Sequence, residues 1–254
     1  MATLGYCYSN KNNMAPVVNL LLDAGANVNS PPSNTHTSAL QAAVEELKHA
    51  FVDRLLDLGA DVNAHDPRFG TALSSAARWS TVELVRKLVE KGADPTLAGE
   101  KSGSVVSTPF HPFEHRPTPP SSPLQAAARR RSVAAVEYLL SLPQVDVMQL
   151  SGRTGHALHA AARCQGDDGV RVMRLLLDAG ADPNACGGKY NTALQAAAKH
   201  GNLENVKFLL RAGADPSIEG GKYGSALKAA TAKKKHFHVA NLLKRYVATE
   251  RGGR

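Results

Sequence analysis

His156 and His159 stand three residues apart, and Cys164 follows within the same stretch, with Cys186 another 22 residues on. With the aspartates Asp61, Asp94, Asp182 and Asp215, these are the side chains that could ligate a metal or move a proton. Zinc needs three or four ligands converging on one point. Here the thiols fall in separate predicted loops, and the aspartates recur singly, at one turn position per unit of a repeat. His111 and His115 lie in a proline-rich loop without thiol support, a weak metal site. "GEKSG" at 99–103 places lysine beside serine, yet lacks the first glycine of a phosphate loop and has no strand before it. No Gly-x-Ser-x-Gly elbow or His-Glu-x-x-His pair is present. The expectation is a protein without catalytic residues, metal or cofactor, and not an enzyme.

The chemistry that does recur is basic and aromatic. Six anchor leucines, Leu40, Leu73, Leu124, Leu158, Leu194 and Leu227, open similar phrases such as "TALQAAA" and "SALKAA". A few residues before the anchors come Arg68, Arg153, Lys189 and Lys222, each followed at the next position by Phe69, Thr154, Tyr190 or Tyr223. Five residues after the anchors come Arg78, Arg129, Arg163 and Lys199, with Glu45 breaking the series, and six after come Trp79, Arg130, Cys164, His200 and Lys233. Guanidinium and ammonium groups in register beside Trp and Tyr suit an acidic peptide or protein surface, and these residue types are enriched at binding hot spots. The same cations also complement the end of a helix, by roughly 0.3–1 kcal/mol each.

The elements that must carry these columns follow from the period. Anchor steps of 33, 51, 34, 36 and 33 residues point to helical repeats. Thr71, Ser122, Thr192 and Ser225 precede the anchors as predicted N-caps. The alanines after each anchor allow a second helix to approach closely. In that second helix Leu203, Val206, Leu209 and Leu210 make one apolar stripe. Gly25, Gly59, Gly92, Gly180 and Gly213 sit where a helix must end with positive φ. Asn27, Asp61, Asp94, Asp182 and Asp215 follow two residues later, placed to accept from turn amides. One unit cannot bury its own stripe; stacked neighbours can.

These phrases, with "LLLDAGADPN" and "LLRAGADPS", resemble the ankyrin family, in the variant common in large fungal arrays. The resemblance covers nearly the whole chain. It implies an all-α solenoid of stacked antiparallel helix pairs with projecting hairpin-like loops, and a protein partner bound on the concave face and loop tips. The chain then reads as one ankyrin-repeat domain over 1–254, with a degenerate unit over 1–33 and full units starting near 36, 69, 121, 155, 191 and 224. Two departures stand out. The family's histidine after the anchor survives only as His159, where a hydrogen-bonding role is expected; Gln41, Ser74, Gln125, Gln195 and Lys228 replace it elsewhere. The third unit closes "LLSLPQVDV" without glycine, so its helix end should be remodelled around Pro143.

The Pro/Ser-rich insert over 98–122 explains the 51-residue step. It carries Phe110 and Phe113, expected to pack back, and Thr108-Pro109 and Thr118-Pro119 as candidate phosphoacceptors. Charge is uneven: residues 221–254 hold nine basic residues and one acid, and residues 1–220 hold 21 of each sign. That end favours a solvated basic cap with Phe237, Val239, Leu242 and Leu243 on its apolar side. Its alternative is a nucleic-acid-associated module. A second alternative is the recognition part of a larger signalling protein, such as a fungal NTPase–ankyrin receptor, since the first unit reads equally as an irregular cap or as the continuation of an upstream domain. Three dispersed cysteines and no apolar run of membrane length point to an intracellular monomer, nuclear or cytoplasmic, away from membranes.

Overall fold

The computed structural model describes residues 15–30, 38–45, 49–65, 70–79, 81–98, 121–152, 154–232 and 236–252. The remainder of the insert, with Thr108, Phe110, Phe113 and Thr118, lies outside them, as do Arg68, Phe69, Arg153 and Lys233. The described residues form helices only, with no strand. None of these helices is long and apolar enough to cross a membrane. Two compact units divide the chain at Pro123/Leu124.

The N-terminal unit holds α1 (Ala15–Asp23), α2 (Ala39–Glu45), α3 (His49–Asp57), α4 (Ala72–Trp79) and α5 (Val82–Glu90). The C-terminal unit holds α6 (Pro123–Arg130), α7 (Val133–Leu140), α8 (Ala157–Ala162), α9 (Asp167–Asp178), α10 (Ala193–His200), α11 (Leu203–Arg211), α12 (Ala226–Thr231) and α13 (Phe237–Gly252). Within each unit first helices pack side by side (α2 on α4; α8 on α10 on α12), each also against its own second helix.

First helices are short and mostly buried: all six residues from Ala193 to Ala198 in α10 are buried, as are Ala39 to Val44 in α2. Alanine makes this geometry available, combining high helix propensity with a side chain small enough for neighbours to close in on both flanks. Thr192, Ser225, Thr71 and Ser38 cap their helices by accepting from the amide three residues on, each at 3.2 Å. Second helices bury one stripe only. In α11 this is Val206, Leu209 and Leu210, with Asn205 beside them. Along α13 and the residue just before it the buried set is His236, Val239, Ala240 and Leu243, while Phe237 is 53% exposed. The apolar side therefore begins one residue earlier than the sequence pattern suggests. The spacing i, i+3, i+4, i+7 is satisfied by an imidazole, and the phenyl ring rests on His238 instead.

The five glycines end their helices with φ between +78° and +92°. Each helix closes with paired bonds, as where Gly213 N donates to Leu210 O and Ala214 N to Leu209 O. At the third unit α7 ends in a right-handed Ser141, and Val145 N donates to Leu142 O around Pro143. The aspartates accept from the amide two residues on, at 2.7–2.9 Å.

One further residue turns these local turns into joints. Asn184 donates Nδ2 to Gly213 O at 3.0 Å and accepts from Asp215 N at 2.7 Å, clasping the next helix end. Asn29 and Asn63 do the same toward Gly59/Asp61 and Gly92/Asp94 in the other unit. Asn184→Ala removes both bonds while leaving its own turn intact. It is expected to destabilise the C-terminal unit by about 1–2 kcal/mol, read as a lowered urea midpoint, with Asn184→Asp losing about half as much.

Candidate protein-binding face

The column one residue past the anchors explains the missing histidines. His159 donates Nε2–H to Asn191 O at 2.9 Å. Gln125 donates Nε2–H to Gly155 O, and Gln195 reaches Gly224 O and Ile218 O at 3.4 and 3.1 Å. In the N-terminal unit Ser74 Oγ donates to Ser121 O at 3.0 Å. Gly155, Asn191, Gly224 and Ser121 each stand three residues before the next anchor, so in these four repeats one side-chain donor holds the loop that follows, while Gln41 donates to Ser75 Oγ instead. His159 is 1% exposed, and its Nδ1 is buried without a partner. Burial first, and then the nearby His156 charge, lower its pKa to about 4 despite the Asn191 carbonyl, so the imidazole is held neutral.

These donors position the loops. Single antiparallel bridges, Ser151 to Gly155, Gly187 to Asn191 and Gly220 to Gly224, close each loop as a small hairpin. Asn191 takes φ +69°, a left-handed conformation asparagine tolerates. Lys222 N donates to Lys189 O at 3.0 Å, tying two tips together.

Above this scaffold the Tyr190 and Tyr223 rings stack, with centroids 6.0 Å apart and planes 9° from parallel. Lys199 Nζ sits 4.3 Å and Lys222 Nζ 5.9 Å from the Tyr223 centroid. Lys189 Nζ and the Arg163 guanidinium lie 5.5 and 5.6 Å from that of Tyr190, and His200 meets the same ring edge-on at 5.5 Å. Cations this close to ring faces are attracted by roughly 0.5–1 kcal/mol each where exposed. Tyr190 is only 6% exposed, so it supports the surface rather than presenting itself, while Lys189 and Lys222 are exposed.

The predicted columns therefore meet in the C-terminal unit for Lys189, Tyr190, Lys222, Tyr223, Arg163, Lys199 and His200. Arg129 and Arg130 end α6 and line a cleft of about 370 Å³ with Arg163 and His200. In the N-terminal unit Arg78 and Trp79 end α4, with Trp79 42% exposed. Three contributors escaped the sequence reading. Arg131 lines the same cleft from the turn after α6. Asn202 and Asn205 brace its floor, Asn205 donating Nδ2 to Ala162 O at 3.0 Å and Cys164 O at 2.7 Å, and Asn202 to Ala162 O at 3.2 Å. Polar residues at core-stripe positions were the available signal. Cys164 donates its thiol to Arg129 O at 3.0 Å, and burial pushes its pKa up against the pull of the arginines around it.

Comparison with known proteins agrees with this construction. The family described as ankyrin repeats (3 copies) matches residues 4–98 and 158–250. The chain is 33% identical over 207 residues to the ankyrin repeat and KH domain-containing protein mask-1 of Caenorhabditis elegans, covering 76% of this chain and 8% of that protein. It is 40% identical over 103 residues to human ankyrin repeat and SOCS box protein 6, covering 38% of this chain and 24% of that protein. The ankyrin repeat domain of human ASB11 superposes with a TM-score of 0.69 at 24% identity, covering 96% and 98% of the two chains, a likeness of fold. These relatives are animal proteins, with a rice zinc finger protein also among the matches, so the fungal-type qualifier finds no support. With six anchored repeats, their inter-repeat donors and a family match over most of its length, the chain belongs to the ankyrin-repeat family.

Proposed function

We propose that this protein is a non-catalytic binding module whose C-terminal unit docks an acidic protein surface on the tyrosine–lysine ladder. The observation that carries the reading is the Tyr190–Tyr223 stack with Lys199 over Tyr223 and Lys222 beside it. Ankyrin repeats generally mediate protein–protein interactions. The ladder adds what such an interface needs: one rigid aromatic face at low entropy, and ammonium groups held above it by two successive repeats. Arg78 and Trp79 offer a second, separate contact of the same chemical type on the N-terminal unit.

The test is site-specific photocrosslinking from the whole protein in extracts of its native cells. A photoreactive residue replacing Tyr223 is expected to capture a defined, acidic partner. The same group replacing the exposed Arg171 of α9 should capture none. Lys199→Glu should weaken the captured partner's affinity at least tenfold, about 1.4 kcal/mol or more. Equal capture from both positions, or an unchanged affinity in Lys199→Glu, overturns the ladder as the docking face. Capture of oligonucleotide in place of protein would favour the nucleic-acid reading of the basic C-terminal end instead.

A further inference from the structure

Among the described residues of the C-terminal unit's candidate face the cations divide by type. The loop tips and the end of α10 carry lysines: Lys189, Lys199 and Lys222. The cleft beside them is lined by four arginines, Arg129, Arg130, Arg131 and Arg163. Lysine offers a hydrated point charge, whereas arginine offers a planar fork that pairs two oxygens at once and is the preferred partner of phosphate. No carboxylate lines the cleft among the described residues. Arg163 Nε is buried there without a hydrogen-bond partner.

The cleft also holds backbone strain. Arg131 takes φ +63°, a left-handed conformation that disfavours side chains. Seven residues past its anchor, it matches Gly201 in α10's repeat, where φ is +75°. An arginine thus adopts the backbone that α10's repeat gives to glycine, and its Nη1 donates to Gln165 O at 2.5 Å, which fixes the guanidinium at the rim. Strain of this kind collects at functional sites. The acidity of the group agrees: burial, and then the charge of Arg163, lower the pKa of Arg129, while burial and the Arg131 charge lower that of Arg130 against the opposing pull of Cys164. The cluster keeps its charges together against both burial and mutual repulsion, and a bound anion would relieve both.

We infer that this cleft receives the phosphoryl group of a phosphoserine or phosphothreonine on a protein partner, an inference that rests on the reading of this unit as a docking face. A carboxylate brings one charge and two oxygens. A phosphate monoester brings about −1.5 to −2 and three strong acceptors, the better match for four forks. Recognition of phosphorylated motifs by arginine clusters is a recurrent binding mode. A polynucleotide fits less well. The cleft, at about 370 Å³, is near the small end of ligand sites, so it has room for one group rather than a track of phosphates. Tyr190, the ring on the cleft side of the stack, is buried and offers no platform to a base.

The experiment titrates the whole protein with three degenerate peptide libraries, identical except for a central phosphoserine, serine or glutamate, and with a single-stranded 20-nucleotide DNA. Two cleft variants, Arg131→Gly and Arg163→Gln, are compared with Arg211→Gln, which removes one charge at the exposed end of α11. Arg131→Gly places glycine, which adopts a positive φ without strain, where Arg131 has φ +63°, so its unfolding midpoint should be unchanged or higher. The phosphoserine library should bind at least tenfold more tightly than either other library. Each cleft variant should lose at least tenfold of that preference, and Arg211→Gln less than threefold. Inorganic phosphate should compete, with a 31P shift in the wild type that Arg131→Gly removes. Equal binding of the glutamate library overturns the inference, as does unchanged phosphoserine binding in a folded Arg131→Gly. DNA binding that the cleft variants abolish, without phosphopeptide preference, reassigns the cleft to nucleic acid. Phosphoserine preference without crosslinking at position 223 rejects the ladder and leaves the cleft standing; the converse result rejects the cleft alone.

Discussion

His159→Gln should leave the protein as stable as the wild type at pH 7.5 and about 2 kcal/mol more stable at pH 5. In the folded protein His159 is held neutral, with a pKa of about 4 against an ordinary value of 6.5. Its folded pKa is depressed, so the associated stability is fully present above pH 6.5. As pH falls the unfolded chain takes up a proton that the folded protein refuses, and about 1.4 kcal/mol is lost per pH unit until the folded pKa is reached. The glutamine variant has no such proton to gain. It also keeps the joint, because Gln125 and Gln195 at the equivalent place donate to the equivalent carbonyls of their own following loops, Gly155 O and Gly224 O. Urea unfolding of both proteins at pH 7.5, 6 and 5 checks this. Parallel loss in the two would mean that other groups carry the acid sensitivity. A variant already weaker at pH 7.5 would mean that the ring packing of His159 on His156, 5.3 Å between centroids, matters more than its hydrogen bond.

Gly188→Ala is expected to cost the C-terminal unit about 2–5 kcal/mol, combining left-handed strain with overpacking. Gly188 has φ +64°, and a methyl there would lie 2.5 Å from Thr154 C and O and 2.6 Å from Gly155 N. Those are backbone atoms of the preceding loop, so no rotamer change relieves the clash. The hairpin would lift away, taking Lys189 and Tyr190 with it and breaking the stack on Tyr223. Gly180→Ala is the control. Its φ is +92°, but a methyl meets nothing within 4 Å, so only conformational strain remains, about 1–2 kcal/mol. Denaturant midpoints compare the two, and near-ultraviolet circular dichroism reports the tyrosine stack. A Gly188→Ala protein no less stable than Gly180→Ala would show that the loops are not packed as tightly as described.

Both predictions turn on positions that differ in how far the sequence reveals them. The helix ends at Gly180 and Gly213, the caps at Thr192 and Ser225 and the aspartate turns lie within one repeat, and each is a matter of a few consecutive residues. Local chemistry specifies them, and the recurrence of the same phrases from repeat to repeat supports the reading. The ankyrin architecture follows from that alone, as does the register that brings lysines and tyrosines into columns.

The tertiary structure decided which of those columns face outward. Tyr190 and Tyr223 are equivalent in sequence, yet Tyr190 is covered on its flanks by His200, Arg163 and the next tyrosine. Phe237 lost the core position to His236, which lies over Gly201 of the preceding repeat. Arg131 looked like one more cation at a helix end; its left-handed backbone and its place beside Arg163 appear only when neighbouring repeats are stacked. Asn205 occupies a core-stripe position in its own helix, but its partners are 41 and 43 residues away. A repeat's own residues set its helices and turns through short-range backbone preferences. Burial and charge proximity are properties of the pair of repeats, so the arginine-lined cleft and its buried supports exist only in the folded stack.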